Sequence, residues 1–451
     1  VSNLDPVLMS RLLTGLTLFV HVNFATIGVG VPLMIALAEW RGVRRNDLQY
    51  ILMARRWARG FVISVAVGVV TGTAISLQLS LLWPTFIRVA GQAVALPMFM
   101  ETFAFFIEAI FMGLYLYTWD RFKNRYYHLL LLIPIAIGAT ASTFFITSMN
   151  AFMNNPQGFT LKNGVFTDVD PWSAMFNPAT PTKVSHVLAA SYTASAGLLA
   201  GIAAFSLLRG RKHDYYKKAL KLTVTAAFVF AVSTAIIGDF SGKYLARYQP
   251  EKLAAAEWHF ETMERAPLIY GGILDENNQV KYAIRIPYAL SILAGSNPNA
   301  KVMGLDEIPK ENVPPLSIHY MFDLKVTNGV LLVLIPFLYL VRGRLPGRFK
   351  IKGLPKWLLV AIVALVPLAF VAIELGWFFA EVGRQPWIVR GYMRVSEAAT
   401  TSHSVGWMLV LFVILYLVLC YSCLRVLHKM FKNKSAEEEL QEMAAAEGGW
   451  R

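Results

Sequence analysis

Apolar residues gather into nine runs along the chain, near 12–38, 59–83, 96–119, 128–152, 184–208, 220–239, 319–341, 357–380 and 404–427. Each approaches or exceeds the roughly 20 residues that a helix needs to cross the hydrocarbon core of a bilayer. The pattern predicts an all-α polytopic membrane bundle. The polar stretches between runs alternate in charge. Arg41, Arg44, Arg45, Arg55, Arg56 and Arg59 follow the first run, and Arg121, Lys123 and Arg125 the third. The stretches after the fifth, seventh (Arg342, Arg344, Arg348, Lys350, Lys352, Lys356) and ninth runs are also basic, while 84–95, 153–183 and 240–318 are closer to neutral. The positive-inside rule then places the N-terminus outside and the C-terminus in the cytoplasm. Only 381–403, with three arginines against two glutamates, departs from it.

Four parts follow: residues 1–239 with six spans, an outer segment 240–318, three more spans over 319–428, and a cytoplasmic tail 429–451. The outer segment is far longer than a connection requires, which marks it as functional or disordered. It contains a predicted amphipathic helix from Pro250 to Glu261. Lys252 and Glu257 lie five apart in it, and spacing alone fits a solvated charged helix. The tail from Ser435 is acidic and rich in small residues, the composition of a mobile segment.

Composition sharpens the class. Hydrophobic residues make up 56% of the 451 and charged ones only 16%, against about 25% in soluble domains. The net charge of +14 is spread over short loops instead of forming the patch or stripe of a nucleic-acid binder. Cys420 and Cys423, the two cysteines, lie inside the last run and read as small membrane hydrophobes. The N-terminal stretch lacks a basic n-region and a small-residue cleavage site, so the first run is expected to be a retained span.

The candidate chemistry centres on Gly376-Trp377-Phe378-Phe379-Ala380-Glu381-Val382-Gly383-Arg384-Gln385-Pro386-Trp387, where the eighth run gives way to an aqueous loop. Glu374 and Glu381 are two helical turns apart and share a face if the helix continues. Carboxylates are costly against lipid, so both should face a protein interior, a cavity or a cofactor. Arg384 offers a fixed cation to a carboxylate or propionate. An isolated Trp377 and Arg384 would serve equally as an interfacial anchor. His21, Glu101, Glu108, His186 and Lys325 join these residues in the outer half of the predicted bundle. Histidines and carboxylates at one depth on separate helices fit a haem held within a bundle. They also fit the proton relay of a proton-coupled transporter, or a haem electron carrier without oxygen chemistry.

From about residue 8 to residue 428 the sequence resembles subunit I of the cytochrome bd-type quinol oxidases. The resemblance rests on Gly376-Trp377 with Glu381-x-Gly383-Arg384-Gln385-Pro386-Trp387, on Lys252-Leu253-Ala254-Ala255-x-Glu257, on Gly238-Asp239-x-Ser241-Gly242, and on Ile286-Pro287-Tyr288-Ala289-Leu290. It implies an oxidase of a bacterial cell membrane that takes electrons from menaquinol or ubiquinol and reduces dioxygen to water. Cytoplasmic protons are consumed, and a membrane potential forms without pumping. Three haems are implied: a low-spin haem b, a high-spin haem b, and a haem d or third haem b. A second membrane subunit is implied, with small single-span subunits as further partners.

Carried over by position, His21 and Glu101 match the two high-spin sites, and His186 matches one ligand of the low-spin haem. Glu108 matches a carboxylate on the proton route, and Glu381 one beside the high-spin pair. Lys252 and Glu257 match the quinol-binding pair, which reverses the solvated reading of their helix. Three departures stand out. The family's methionine ligand in the seventh span aligns with Lys325, with Met321 one turn earlier on nearly the same face. A common second-span glutamate is Ser76, two residues before Gln78. Glu101 and Glu108 are seven apart where eight is usual, which predicts a bulge or a shifted helix phase. The outer segment is the short form, without an insertion after Leu305.

Overall fold

The computed structural model describes residues 5–344 and 353–448. Arg348, Lys350 and Lys352 of the basic stretch after the seventh run lie outside those residues, as do the ends of the first and last predicted parts. Among the described residues, nine long apolar helices account for the nine runs: α1 Pro6–Arg45, α2 Leu48–Leu82, α3 Pro84–Tyr117, α4 Arg125–Asn154, α5 Thr180–Leu208, α6 Asp214–Tyr248, α7 Ile318–Val341, α8 Lys356–Val382 and α9 Val405–Asn433. A turn at Leu131 interrupts α4 near its start.

Most helices outrun their apolar runs because polar residues continue the helix beyond the lipid. At the head of α1, Asp5 accepts a hydrogen bond from the Val7 amide at 3.1 Å, satisfying an otherwise orphaned donor. At its tail Asn46 takes the left-handed conformation, φ 52°, that ends a helix. Likewise α6 runs on to Tyr248, so the outer segment between α6 and α7 spans only 249–317.

The axis of the bundle is α5. Its most apolar stretch is 67% buried, against 11% for the peripheral α9. Small residues explain this, since they let backbones approach in a solvent that offers no hydrophobic drive. A side chain at Gly30 of α1 would lie 2.5 Å from the Ser191 carbonyl oxygen of α5. On the other flank, a Cβ at Gly201 would lie 2.4 Å from Val366 of α8.

One end of the bundle is basic. There Arg55 pairs with Asp120 at 3.6 Å, Lys218 with Asp47, and Arg56 donates to the Lys434 carbonyl at 3.2 Å. Residues Ala436–Gly448 form a helix, and its buried Glu439 accepts hydrogen bonds from both Arg56 and Arg59. Acidic composition misled here because the basic end supplies the countercharges that let the segment dock.

The opposite end carries residues 249–317, the long segment between α6 and α7. Its helix covers only Pro250–Ala256, stopping short of the predicted Glu261 because Trp258 takes a positive φ of 46°. Two short antiparallel pairings follow, Leu268–Tyr270 with Ile284–Ile286 and Ile273–Leu274 with Val280–Lys281. Leu253, Ala255, Ala256, Ala266, Leu290 and Val302 of the segment form one apolar cluster with Ala151 of α4, Tyr244 of α6, Ile318 of α7 and Phe379 of α8. The segment is therefore a docked cap on the bundle.

Candidate functional site

The cap and the α8 terminus enclose a network of charges. Because α8 stays helical through Val382, Glu374 and Glu381 do lie two turns apart along one side. They reach different helices. Glu374 accepts from Asn23 of α1 at 2.8 Å, and Glu381 accepts from Asn150 of α4 at 2.6 Å. Arg384 closes an ion pair with Glu381, while its Nη1 is buried without a partner. Lys183 of α5 donates to the Asn150 side-chain oxygen at 2.8 Å.

Lys252 enters this network from the cap. It is buried and donates from Nζ to the Ala380 carbonyl at 3.1 Å. The absence of a side chain at Gly383 makes room for it: a Cβ there would lie 2.6 Å from Lys252 Cε. Burial, and then the charge of Lys183, holds the Lys252 amine well below the usual lysine range. The solvated-helix expectation from spacing fails because the Leu253–Ala256 face packs inward and carries its flanking charges with it.

Glu257 is fully buried, and neither carboxyl oxygen has a hydrogen-bond partner among the described residues. Burial, with Asp323 adding, pushes its carboxyl up to about 8. Since the helix stops at Ala256, Lys252 and Glu257 leave it in different directions, toward α8 and toward α7 respectively. Lys325 of α7 lays its Nζ over the rings of Phe322, 4.7 Å away, and Phe379, 4.4 Å away. Met321, one turn outward, packs instead into the apolar cluster under the cap. Trp377 is half-buried beside Gly376, whose missing side chain leaves 3.8 Å to Lys325 Cδ.

Deeper in, His21 of α1 binds Thr71 of α2 through Nδ1 at 2.9 Å, which leaves Nε2 for another partner. Gly72 lies against the ring; a Cβ there would stand 3.1 Å from Cε1. His186 of α5 has a buried Nδ1 with no hydrogen-bond partner among the described residues. On α3, Glu101 accepts from Ser142 of α4 at 3.0 Å, and Glu108 is buried where Gly138 of α4 allows close approach. The helix is regular across both carboxyls, so the expected bulge is absent: seven residues are two turns and keep one face. Ser76 turns back to the Gly72 carbonyl at 3.1 Å, and Gln78 is buried.

Four basic side chains, Lys183, Lys252, Lys325 and Arg384, thus converge at the cap end, where Glu381 pairs with Arg384 and, among the described residues, no other carboxylate pairs with any of the four. Sequence reasoning missed Lys183, Asn150 and Asn23; Lys183 and Asn150 lie within about one turn of their helix ends, and Asn23 lies two residues beyond His21 inside α1. It also missed Arg390, which holds Glu251 of the cap through two hydrogen bonds.

Comparisons with known proteins bear on this geometry. The cytochrome bd terminal oxidase subunit I family matches residues 9–435. The putative cytochrome bd menaquinol oxidase subunit I of Bacillus subtilis (strain 168) is 39% identical over 442 residues, 97% of this chain and 99% of that relative. The cytochrome bd ubiquinol oxidase subunit 1 of the same organism is 30% identical over 92% of this chain and 91% of its own length. Among solved structures, the bd oxidase from Geobacillus thermodenitrificans superimposes with a TM-score of 0.92 at 61% identity, covering 96% of this chain and 100% of the matched one.

Proposed function

The chain belongs to the cytochrome bd terminal oxidase subunit I family, and from that premise we propose that it oxidises quinol beneath the cap while dioxygen is reduced to water within the bundle. It is a subunit of a bacterial respiratory quinol oxidase, spanning the membrane several times. The observation that carries the finer reading is the fully buried Glu257 carboxyl, unpartnered under a cap that also buries Lys252. A polar group left so is costly unless a ligand completes it.

The residues fit haem. His21 Nε2 and His186 Nδ1 are nitrogens without partners on separate helices, and Gly72 makes space along the first ring. We assign His186 to a low-spin haem b, with Lys325 as the second ligand on position and Met321 as the softer alternative. His21 and Glu101 serve two high-spin sites, a haem b and either a haem d or a third haem b. Trp377 lines this region, and Arg384 with its free Nη1 suits a propionate. When bound, the haems supply one-electron carriage and oxygen binding that side chains lack.

This chain's own part is to bind quinol and to hold and move protons. Glu257, when ionised, can accept a quinol proton, and Lys252 can hold a quinol oxygen. Glu108 and Glu101 hold protons on their way inward, and Glu381 with Arg384 fixes charge beside the high-spin pair. The basic ends of the helices support a cytoplasmic location for that end and an outer location for the cap and N-terminus. Quinol protons then leave outside and protons for water enter from the cytoplasm, so charge separates without pumping. A second membrane subunit joins the complex, with small single-span subunits as further partners. Menaquinol and ubiquinol are both open as substrates, since the two Bacillus relatives differ in that respect.

The test is a reduced-minus-oxidised spectrum of the purified complex together with quinol-dependent oxygen uptake. Haem bands and uptake, with Glu257→Gln slowing quinol oxidation but not dithionite reduction, are the expected result. A chlorin band distinguishes haem d from a third haem b. A colourless protein would return the buried carboxyls to a transporter; low-spin bands without uptake would leave an electron carrier.

A further inference from the structure

Three polar residues at the basic end play no part in the site above. Glu39 of α1, Tyr115 of α3 and His128 of α4 are fully buried. The Tyr115 hydroxyl donates to Glu39 Oε2 at 2.6 Å, His128 Nδ1 lies 2.6 Å from Glu39 Oε1, and His128 Nε2 lies 2.8 Å from the Tyr115 carbonyl. A carbonyl can only accept, so Nε2 must carry a hydrogen. One further proton then lies between Nδ1 and Glu39: an imidazolium facing a carboxylate, or an imidazole accepting from a carboxylic acid. Trp119 covers the group edge-on to both rings, at 5.4 Å from Tyr115 and 4.9 Å from His128. Arg125 lies over Trp119 with a buried, unpartnered Nη1, a countercharge for the state that has given up its proton.

Position gives this shared proton a use. Glu101, Glu108 and Tyr115 fall at intervals of seven on one regular helix, a single stripe with steps of about 10 Å along the axis. Tyr115 is the end of that stripe nearest the basic face. We infer that Glu39, His128 and Tyr115 form a proton-loading site that feeds Glu108. A proton from water is taken up by the Glu39–His128 pair, Tyr115 passes its hydroxyl proton through intervening water to the Glu108 carboxylate, and Glu39 reprotonates the tyrosinate. Proton number and charge balance at each transfer. A purely structural staple would bind the same three helices but would have no reason to end on the carboxyl stripe.

The inference rests on reading Glu108 as a proton carrier, and the experiment separates the two. The intact oxidase in liposomes is given oxygen after full reduction, and proton uptake is followed with a pH dye alongside haem oxidation. Tyr115→Phe keeps the ring and removes one hydroxyl; Glu39→Gln removes the ionisable group. Both should slow proton uptake about a hundredfold, the low side of what proton-transfer groups contribute, with the dithionite-reduced spectrum unchanged. Uptake slowed in Glu108→Gln but normal in Tyr115→Phe overturns the loading site alone. Normal uptake in Glu108→Gln overturns the carboxyl route beneath it. If neither inner variant assembles, infrared difference spectra of the wild-type oxidase decide, with His128 assigned by ring-labelled histidine. Coupled carboxyl and imidazole bands on turnover are expected, and their absence overturns the proposal.

Discussion

Arg390 grips Glu251 with both arms of its guanidinium, Nε to Oε1 at 2.6 Å and Nη2 to Oε2 at 3.0 Å. The pair joins the turn after α8 to the first turn of the cap helix, and the Arg390 amide donates to the Met153 carbonyl at 3.0 Å. Cap, α8 and α4 are thereby tied at one point, a few residues from Lys252 and from Arg384. The two-pronged geometry fixes orientation as well as distance.

Replacing Arg390 with methionine should therefore loosen the cap more than the bundle. Hydrogen bonds to charged groups are worth roughly 1.5–3 kcal/mol, and the pair keeps some solvent contact, which argues for the lower end. An increase in the KM for quinol of about tenfold, equivalent to ~1.4 kcal/mol, with an unchanged haem spectrum, is expected in oxygen-uptake assays. Faster protease cleavage within 249–317 should accompany it.

With Glu257 as the proposed acceptor of the quinol proton, quinol oxidation should depend on pH. Below about 8 its carboxyl keeps its proton and cannot take another; above, it is a carboxylate that can. The rate should rise with pH through that value, and Glu257→Gln should be slower and flat across it. Stability runs the other way. The folded state favours the protonated form, so this contribution is full below the ordinary value of 4.5 and is lost as pH rises through about 8. Rate profiles and thermal unfolding across pH 6–9, as roughly the span around that value, read both trends.

Two glycines of α1 predict opposite outcomes. At Gly30 an added methyl would meet Ser195 Oγ at 2.2 Å and the Ser191 carbonyl at 2.5 Å, so α1 and α5 must separate. Overpacking of this kind costs about 1–3 kcal/mol, and Gly30→Ala should lower the unfolding temperature and the yield of assembled complex. Gly15 has open space, so Gly15→Ala should be neutral or slightly stabilising through helix propensity.

Much of the architecture was legible in the runs themselves, because lipid leaves a helix no alternative. Helix ends were not, since Lys217 and Arg247 extend α6 in residues that the apolar pattern reads as loop. The stripe of Glu101 and Glu108 was visible, but the comparison pattern of eight hid that seven is the better helical interval. Glu39 and His128 escaped notice because each lies at the edge of an apolar run, where a charge ordinarily meets water; only the fold turns both inward. The tail was misread for want of its partners, which lie about 380 residues away in Arg56 and Arg59.

Glu439→Lys tests that docking. Breaking a buried pair by removing one partner costs about 3–5 kcal/mol, partly offset here by the Lys434 carbonyl that Arg56 retains. Trypsin cleavage near Lys434 should become rapid, while the haem spectrum stays the same. Equal protection of variant and wild type would show that the tail helix is held by something other than this pair.

That docking also records the order in which the chain is made. Arg56 and Arg59 enter the membrane early, at the head of α2, and wait without their partner until the chain is almost complete. Glu439 lies six residues beyond Asn433, too close to reach them unless α9 has already crossed and ended on the same face. The weakly embedded last span is thus held from its far end, and the ion pair closes only on a chain with every preceding span inserted. A synthesis cut short, or a final span left outside, would leave Arg56 and Arg59 without the carboxylate that joins them in the finished subunit.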